Sequence, residues 1–162
     1  MPYPAACPPS FWSRMSAPLF GSIWFAMVTV PTWSASWGAE ATDPCSLLTV
    51  EEVSAALNER IQAPQSIQSD GCLWRGTGTD SVTLEAPGTG RPGFDNAETR
   101  ISPIVRLSGI GDAAFAFVSA AGFVEIGLVK ADRFFTVLVP ARDAKSARTA
   151  AELLASKIAG RL

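Results

Sequence analysis

Histidine is missing from this chain of 162 residues. Its absence excludes Ser-His-Asp and Cys-His catalytic arrangements and removes the commonest protein ligand of metal ions. Charge is also sparse, because charged residues make up only 17% of the chain and the net charge is −2. No basic stripe is present, which argues against nucleic-acid binding. The hydrophobic content of 48% indicates a globular chain, and the length indicates one domain.

Charged residues are rarest near the N-terminus, where Arg14 is the only one before Glu40. A largely apolar run of twelve residues extends from Leu19 to Val30 in the same region. The run is too short to span a bilayer comfortably, but it has the length of the apolar core of a secretory signal. We therefore expect residues 1–41 to form a signal peptide.

A cleavage pattern follows the apolar run. Ala39-Glu-Ala41 has the small-x-small form of a signal-peptidase site, so the exported chain should begin near Thr42. Cleavage after Gly38 is one alternative, and an uncleaved anchor is another. Translation could also start at Met15, which would remove Arg14 from the leader. After cleavage we expect no stable membrane span.

The exported part, residues 42–162, has 12 basic residues (13 less Arg14) and 14 acidic residues (15 less Glu40). It keeps Cys45 and Cys72, and a cysteine pair in an exported protein indicates a disulfide. Closing this loop should stabilise the fold by roughly 3–4 kcal/mol in the chain-entropy model. Two reduced thiols are expected only if the chain stays in the cytosol. The residues immediately before Cys45 lack the apolar pattern of a lipid-attachment site.

The apolar residues 122–140 predict a β-hairpin. A two-residue turn at Ala131-Asp132 makes Lys130 face Arg133, and six apolar residues then share one face because side chains alternate along a strand. The three apolar pairs are Leu128 with Phe135, Ile126 with Val137, and Val124 with Val139. Ala-Asp is a poor turn sequence, so a four-residue loop of the same register is the alternative. The opposite face of the hairpin carries both apolar and polar residues, so we expect other parts of the chain to cover it only in part.

Two helices are predicted at the ends of the exported part. Thr49-Val-Glu-Glu52 is a capping box, which predicts a short helix from Val50 to about Asn58. Asp143 is a suitable N-cap for a C-terminal helix that ends near Gly160. The apolar stripe of that helix consists of Ala147, Ala151, Leu154, Ile158 and Leu162. We expect this stripe to cover the apolar face of the hairpin.

Further strands are predicted between the helices. The candidates are residues 72–75, 81–86, 103–107 and 114–118. The sequence therefore predicts an α+β fold in a single domain over residues 42–162. It has an antiparallel sheet of about five strands, with the N-terminal and C-terminal helices packed on one face. Trp74 is interpreted as core packing rather than a ligand platform. Asp112 is interpreted as a residue that bonds its own backbone in a bend around Ile110, not as a catalytic group.

The Gly- and Pro-rich residues 86–96 are predicted to form an exposed loop. Within them, Gly88-Thr-Gly-Arg-Pro-Gly93 formally matches a dinucleotide-binding fingerprint. We reject the match, because the fingerprint needs a helix with an apolar face opening at the third glycine, and the proline and polar residues here do not indicate one. Arg91, Phe94 and Asp95 are instead the candidate interaction residues of this loop.

Several motifs together support a resemblance to a known group. They are Cys45-Ser-Leu-Leu-Thr-Val-Glu-Glu-Val53, Cys72-Leu-Trp74, Gly109-Ile-Gly-Asp-Ala-Ala-Phe115, and the closing hairpin plus helix. With them the chain resembles small exported bacterial domains of unknown function, many of which are actinobacterial lipoproteins. Related folds occur as extracellular sensor regions of membrane kinases. The resemblance covers most of residues 43–162 and implies no catalytic residues. The chain departs from the group by lacking the lipid-anchoring cysteine, so the resemblance does not imply membrane attachment.

Two functional hypotheses follow. The first is an exported, non-catalytic binding or interaction module of the cell envelope, whose partner is an unidentified envelope protein or a small ligand. The alternative is an extracytoplasmic enzyme that uses carboxylates alone. We assign no catalytic, cofactor-binding or metal-ligating residue from the sequence. A pocket lined by carboxyl groups with raised pKa values would favour the enzyme, and an apolar patch or concave sheet face without them would favour the module.

Overall fold

A computed structural model describes residues 43–68, 70–78 and 80–162. The predicted signal peptide and its cleavage site lie outside the described residues. The described part of the chain belongs to one compact unit. After a 3-10 turn at Pro44–Ser46, its helices are α1 (Val50–Leu57), α2 (Gly90–Arg100) and α3 (Ala144–Ala159). Its strands are β1 (Gln65–Ile67), β2 (Gly71–Arg75), β3 (Ser81–Glu85), β4 (Val105–Leu107), β5 (Ala113–Val118), β6 (Phe123–Lys130) and β7 (Arg133–Pro140).

The strands form one antiparallel sheet in the order β1-β2-β3-β7-β6-β5-β4. The predicted α+β class is confirmed, but the described sheet has seven strands rather than about five. The short strand β1 comes from residues that carried no clear pattern in the sequence. Its pairing with β2, at Gln65 with Leu73 and Ile67 with Gly71, makes it an edge strand.

The hairpin of β6 and β7 has the predicted register. Lys130 faces Arg133, and the three apolar pairs lie where the alternation placed them. Ala131 and Asp132 both have positive φ, at 49° and 60°, so the connection is a two-residue turn of the type that usually selects Asn-Gly. Asp112 offsets this poor turn sequence, because its Oδ2 accepts a hydrogen bond of 2.9 Å from the backbone N–H of Ala131.

The face of the sheet that carries the six apolar hairpin residues is covered by α1 and α3, and we call it the α3 face. Helix α3 contacts β6 and β7 directly and contacts α1 beside it. The described core of this face includes the predicted stripe residues Ala147, Ala151, Leu154 and Ile158. The prediction that both terminal helices pack on one face is therefore confirmed.

The local devices at the start of the described chain are also confirmed. Thr49 and Glu52 form the capping box of α1, with hydrogen bonds of 3.0 and 3.2 Å between each side chain and the backbone N–H of the other. The disulfide between Cys45 and Cys72 joins the 3-10 turn to β2 across a sequence separation of 27. Trp74, on the same strand, is fully buried in the core that contains Val53 of α1.

The prediction of an exposed loop over residues 86–96 is wrong, because α2 begins at Gly90. The glycines and Pro92 lie in the first turn, where a missing N–H costs little because that turn has no internal acceptor for it. The helix presents Phe94, Ala97 and the following Ile101 along one stripe, at spacings of three and four residues. That stripe packs on the opposite side of the sheet, which we call the α2 face.

The contact of α2 with the sheet is aromatic. The ring centroid of Phe94 lies 5.1 Å from that of Phe115 and 5.9 Å from that of Phe134, in tilted and edge-on geometries. Phe115 pairs with Gly127 across strands β5 and β6. A Cβ at position 127 would lie 2.5 Å from Cζ of Phe115, so the glycine leaves room for the ring that α2 packs against.

Candidate functional site

The three residues predicted as an interaction loop lie in the first half of α2. Phe94 is only 1% exposed, so its side chain anchors the helix and is not accessible to a partner. Arg91 lies over the Phe94 ring, with 5.5 Å between Cζ and the ring centroid, and its Nε donates to Asp95 Oδ1 at 2.8 Å. The two charged side chains remain on the surface. Their role in binding a partner stays a prediction.

The N-terminus of α2 does not provide a phosphate site of the dinucleotide kind. A helix does begin within the Gly88–Gly93 segment, at Gly90, although the sequence did not indicate one. However, the backbone N–H of Arg91 donates to Asp132 Oδ1 at 3.0 Å. Gly90 has φ +55°, and a Cβ there would lie 2.7 Å from the carbonyl oxygen of Asp132. The helix start is therefore occupied by the hairpin turn.

Two hollows in the described surface each contain two carboxylates: Glu51 and Glu59 lie in a shallow one beside α1, and the other is more enclosed. The more enclosed hollow has a volume of about 160 Å³ and is bounded by the end of α1, the end of β7 and the start of α3. Asp80 in its wall pairs with Arg142 at 3.3 Å. Asp143 caps α3, and hydrogen bonds from the Ser146 hydroxyl and from the N–H groups of Ser146 and Lys145 lower its pKa. A lowered pKa is the wrong direction for a general acid near neutral pH.

Glu85 is the described carboxyl group whose pKa moves upward. Partial burial is the main cause, and the negative charges of Glu125 and Asp70 add to it. Glu85 pairs with Thr136 on β7, and the side chain lies on the α2 face because the adjacent Leu84 is buried in the α3-face core. None of the hollows described in this section is lined by Glu85 or Glu125.

An apolar concavity lies on the α3 face, beside α3. Helix α3 covers β6 and β7, so β5 and β4 extend beyond it toward the sheet edge. Ala114, Ala116 and Val118 of β5 pair with Leu128, Ile126 and Val124 of β6 and therefore share their face. Two of these three β5 residues are alanines, and their short side chains leave space above the sheet next to the helix. The result is an apolar groove of about 470 Å³.

The groove is lined by Pro103, Val105, Ala116, Phe117, Val118, Val124, Ala144, Lys145 and Arg148. Val105 and Val118 are 47% and 59% exposed, and they are two of the three large hydrophobic side chains exposed in the described part of the chain. A concentration of exposed apolar surface in one concavity is typical of a binding site. None of the described residues that line this groove is a carboxylate.

The only charged groups lining the groove, among the described residues, are two cations from the first half of α3. Arg148 donates from Nε to Glu152 Oε1 at 2.7 Å, so a neighbouring carboxylate offsets its charge. Lys145 forms no ion pair within the described residues. The side chain of Asp143, the nearest acidic residue in sequence, accepts from the Lys145 and Ser146 N–H groups and lines the hollow beyond α1 instead. The rim of the groove therefore has a positive bias of about one charge.

No protein-family model matches this chain. No curated protein and no solved structure matches it either. The resemblance to small exported domains therefore stays a prediction, and the function has to be inferred from geometry. Within the described residues, no helix is long and apolar enough to cross a membrane, and no group of three potential metal ligands comes together.

The groove was not anticipated from the sequence. Ala114–Val118 was predicted to be a strand, and its alternation put Ala114, Ala116 and Val118 on one side. The sequence did not indicate the order of the strands in the sheet, in particular which strand lies beside β6. It also did not indicate which strands the helix would leave uncovered. Small residues at alternate positions of a strand adjacent to a helix-covered hairpin are the signal that could have located it.

Proposed function

We propose that this chain is an exported, non-catalytic binding module of the cell envelope, and that the groove beside α3 is its binding site. The observation that carries the proposal is the exposure of Val105 and Val118 in one apolar concavity. Complete burial of a fully exposed valine is worth roughly 1.5–3 kcal/mol, and about half of that is available at each of these two half-exposed valines. The volume of about 470 Å³ lies within the usual range for small-molecule sites, about 300–1,000 Å³.

The test uses the protein expressed from the full-length chain and a neutral, environment-sensitive naphthylamine probe. Val118→Asp should weaken probe binding about tenfold or more, because it places a charge in the apolar wall. Leu153→Asp is the matched control, since Leu153 is a large apolar residue of α3 that is 45% exposed but lies outside this groove. Val105→Asp repeats the experiment from the other wall. Equal affinity in all three variants, with unchanged circular dichroism, would exclude the groove as the site.

Export is the second part of the proposal, and the disulfide between Cys45 and Cys72 supports it, because such bonds persist in oxidising compartments. N-terminal sequencing of the protein from its native envelope or medium should give a start near Thr42. A cytosolic protein that keeps residues 1–41 would contradict this.

The alternative function, a carboxylate-dependent extracytoplasmic enzyme, is favoured by one observation. Glu85 has a raised pKa and is electrostatically coupled to Glu125. A raised pKa marks a candidate general acid. No hollow described above contains either group, however, so the binding module is the better supported of the two.

A further inference from the structure

We infer, on the basis of the proposed function, that the groove takes a single-chain amphiphile with a carboxylate head, a free fatty acid. Its tail lies along Val105, Val118 and Val124, and its head reaches Lys145. This inference names the ligand class that both the apolar walls and the charge of the rim would accept.

The walls determine the tail. Val118 and Val124 form a cross-strand pair, and Val105 pairs with Ala116, which lies two residues from Val118 on β5 and therefore on the same face. They make a continuous apolar strip between the edge strand and α3. The strip presents no side-chain hydrogen-bonding group, so it offers a polar ligand no compensation for lost water. A flexible alkyl chain loses little by leaving water and can follow the strip.

The rim determines the head. Both groove-lining cations come from one end of α3, so the charge lies at one side of the apolar strip rather than around it. Arg148 is already matched by Glu152, which leaves Lys145 as the unmatched positive charge among the described groove residues. One net positive charge fits a singly charged carboxylate better than a doubly charged phosphate. A cationic head would be repelled by the same residues.

The experiment compares three ligands with the same ten-carbon tail: decanoate, 1-decanol and decyltrimethylammonium, each below its aggregation concentration. Titrations followed by amide chemical shifts should show decanoate binding about tenfold tighter than decanol, with the cation weakest. Lys145→Gln should bring decanoate to the affinity of decanol. Arg142→Gln is the control, because Arg142 lies at the same end of α3 but pairs with Asp80 outside the groove. Added salt should reduce the preference for decanoate.

The outcomes separate this inference from the proposed function. Equal affinity for the three ligands, with shifts at Val118, would overturn the carboxylate preference and leave an apolar binding module. No binding of any ligand to the wild-type chain would overturn both. Concentration-dependent dimerisation that buries the groove, or sedimentation with anionic vesicles without decanoate binding, would replace the fatty acid by a second copy or a membrane surface and so overturn the inference.

Discussion

The two faces of the sheet are covered in different ways. On the α3 face, a sixteen-residue helix and α1 bury an apolar surface that extends over most strands of the described sheet. On the α2 face, an eleven-residue helix covers one end, and its described cluster has four buried residues: Phe94, Phe115, Val129 and Phe134. On the α3 face, several apolar side chains at helical spacing along α3 contact the sheet. On the α2 face, Phe94 is the one fully buried side chain that the helix contributes, and Ala97 and Ile101 pack beside it.

The two helices also begin differently. Helix α3 is capped by its own Asp143, whose side chain accepts from two N–H groups of the first turn. Helix α2 has no side-chain cap of its own and instead donates from Arg91 to Asp132, 41 residues away. Its start is therefore defined by tertiary structure. We expect the α3 face to carry global stability and the α2 face to open more easily, as smaller cooperative units do.

The largest effect should come from Leu154→Ala on the α3 face. Leu154 is 0% exposed in the larger core, so its loss leaves a cavity bounded by the sheet and should cost about 4 kcal/mol, toward the upper end of the range for buried leucines. Urea unfolding of the full-length protein measures the change. Total stability is only about 5–15 kcal/mol for a domain of this kind, so the variant should be close to unfolding.

The control for this prediction is Glu152→Ala, on the same helix but toward solvent. It removes the exposed pair with Arg148 and should cost about 0.5 kcal/mol or less. Equal midpoints for the two variants would mean that α3 does not hold the sheet in the way the contacts indicate.

Phe94→Ala should have the second largest effect. The lost aromatic contacts should cost about 3 kcal/mol, at the lower end of the range for buried phenylalanines, because α2 lies at one end of the sheet and can settle into the space. Hydrogen exchange should show lost protection in α2 and near Phe134, with β6 amides still protected. Asn96→Ala, on the exposed side of the same helix, is the control.

A uniform loss of protection throughout the sheet in Phe94→Ala would contradict the division into two units. So would an unchanged exchange pattern, because it would mean that the aromatic cluster does not attach α2.

The regions that the sequence predicts well are those whose signals are local or strictly periodic. The hairpin register follows from two-residue alternation with six matching apolar positions, and the α1 start follows from Thr49 and Glu52. The α3 stripe follows from helical spacing. In each case the pattern is repeated often enough that one alternative register would disrupt several residues at once.

The regions that were missed depend on contacts distant in sequence. Helix α2 has glycines and a proline in its first turn and a stripe of only a few apolar residues, and its N-terminus is completed by Asp132 of the hairpin turn. The two-residue turn was predicted, but its support was not: Asp112, which was expected to bond its own bend, accepts from the N–H of Ala131, nineteen residues away. The groove exists because α3 covers β6 and β7 and leaves β5 beside it partly uncovered. None of these relations is encoded in the spacing of neighbouring residues.

The smallest effect should come from Glu85→Gln. This variant tests whether the ionised Glu85 carboxylate on the α2 face lowers the stability of the folded protein. Burial, together with the charges of Glu125 and Asp70, raises the pKa of Glu85 above its ordinary value of 4.5. A carboxyl group whose pKa is higher in the folded than in the unfolded protein destabilises the folded protein when it is ionised. Its penalty is therefore absent below about pH 4.5, appears as pH rises through the folded-state pKa, and is constant above it.

At pH 7, Glu85→Gln should thus stabilise the protein slightly, by about 0.5 kcal/mol or less, and at pH 3.5 the two proteins should have the same urea midpoint. Glu52→Gln should behave oppositely. Burial, the largest influence on Glu52, raises its pKa, but the Thr49 N–H, Lys157 and Arg161 together outweigh burial and lower it. Its stabilisation is therefore present at neutral pH and lost as pH falls through the lowered pKa. If Glu85→Gln destabilises at pH 7, or acts equally at both pH values, then Glu85 is not disfavoured as an ion, and the carboxylate enzyme loses the one observation that favours it.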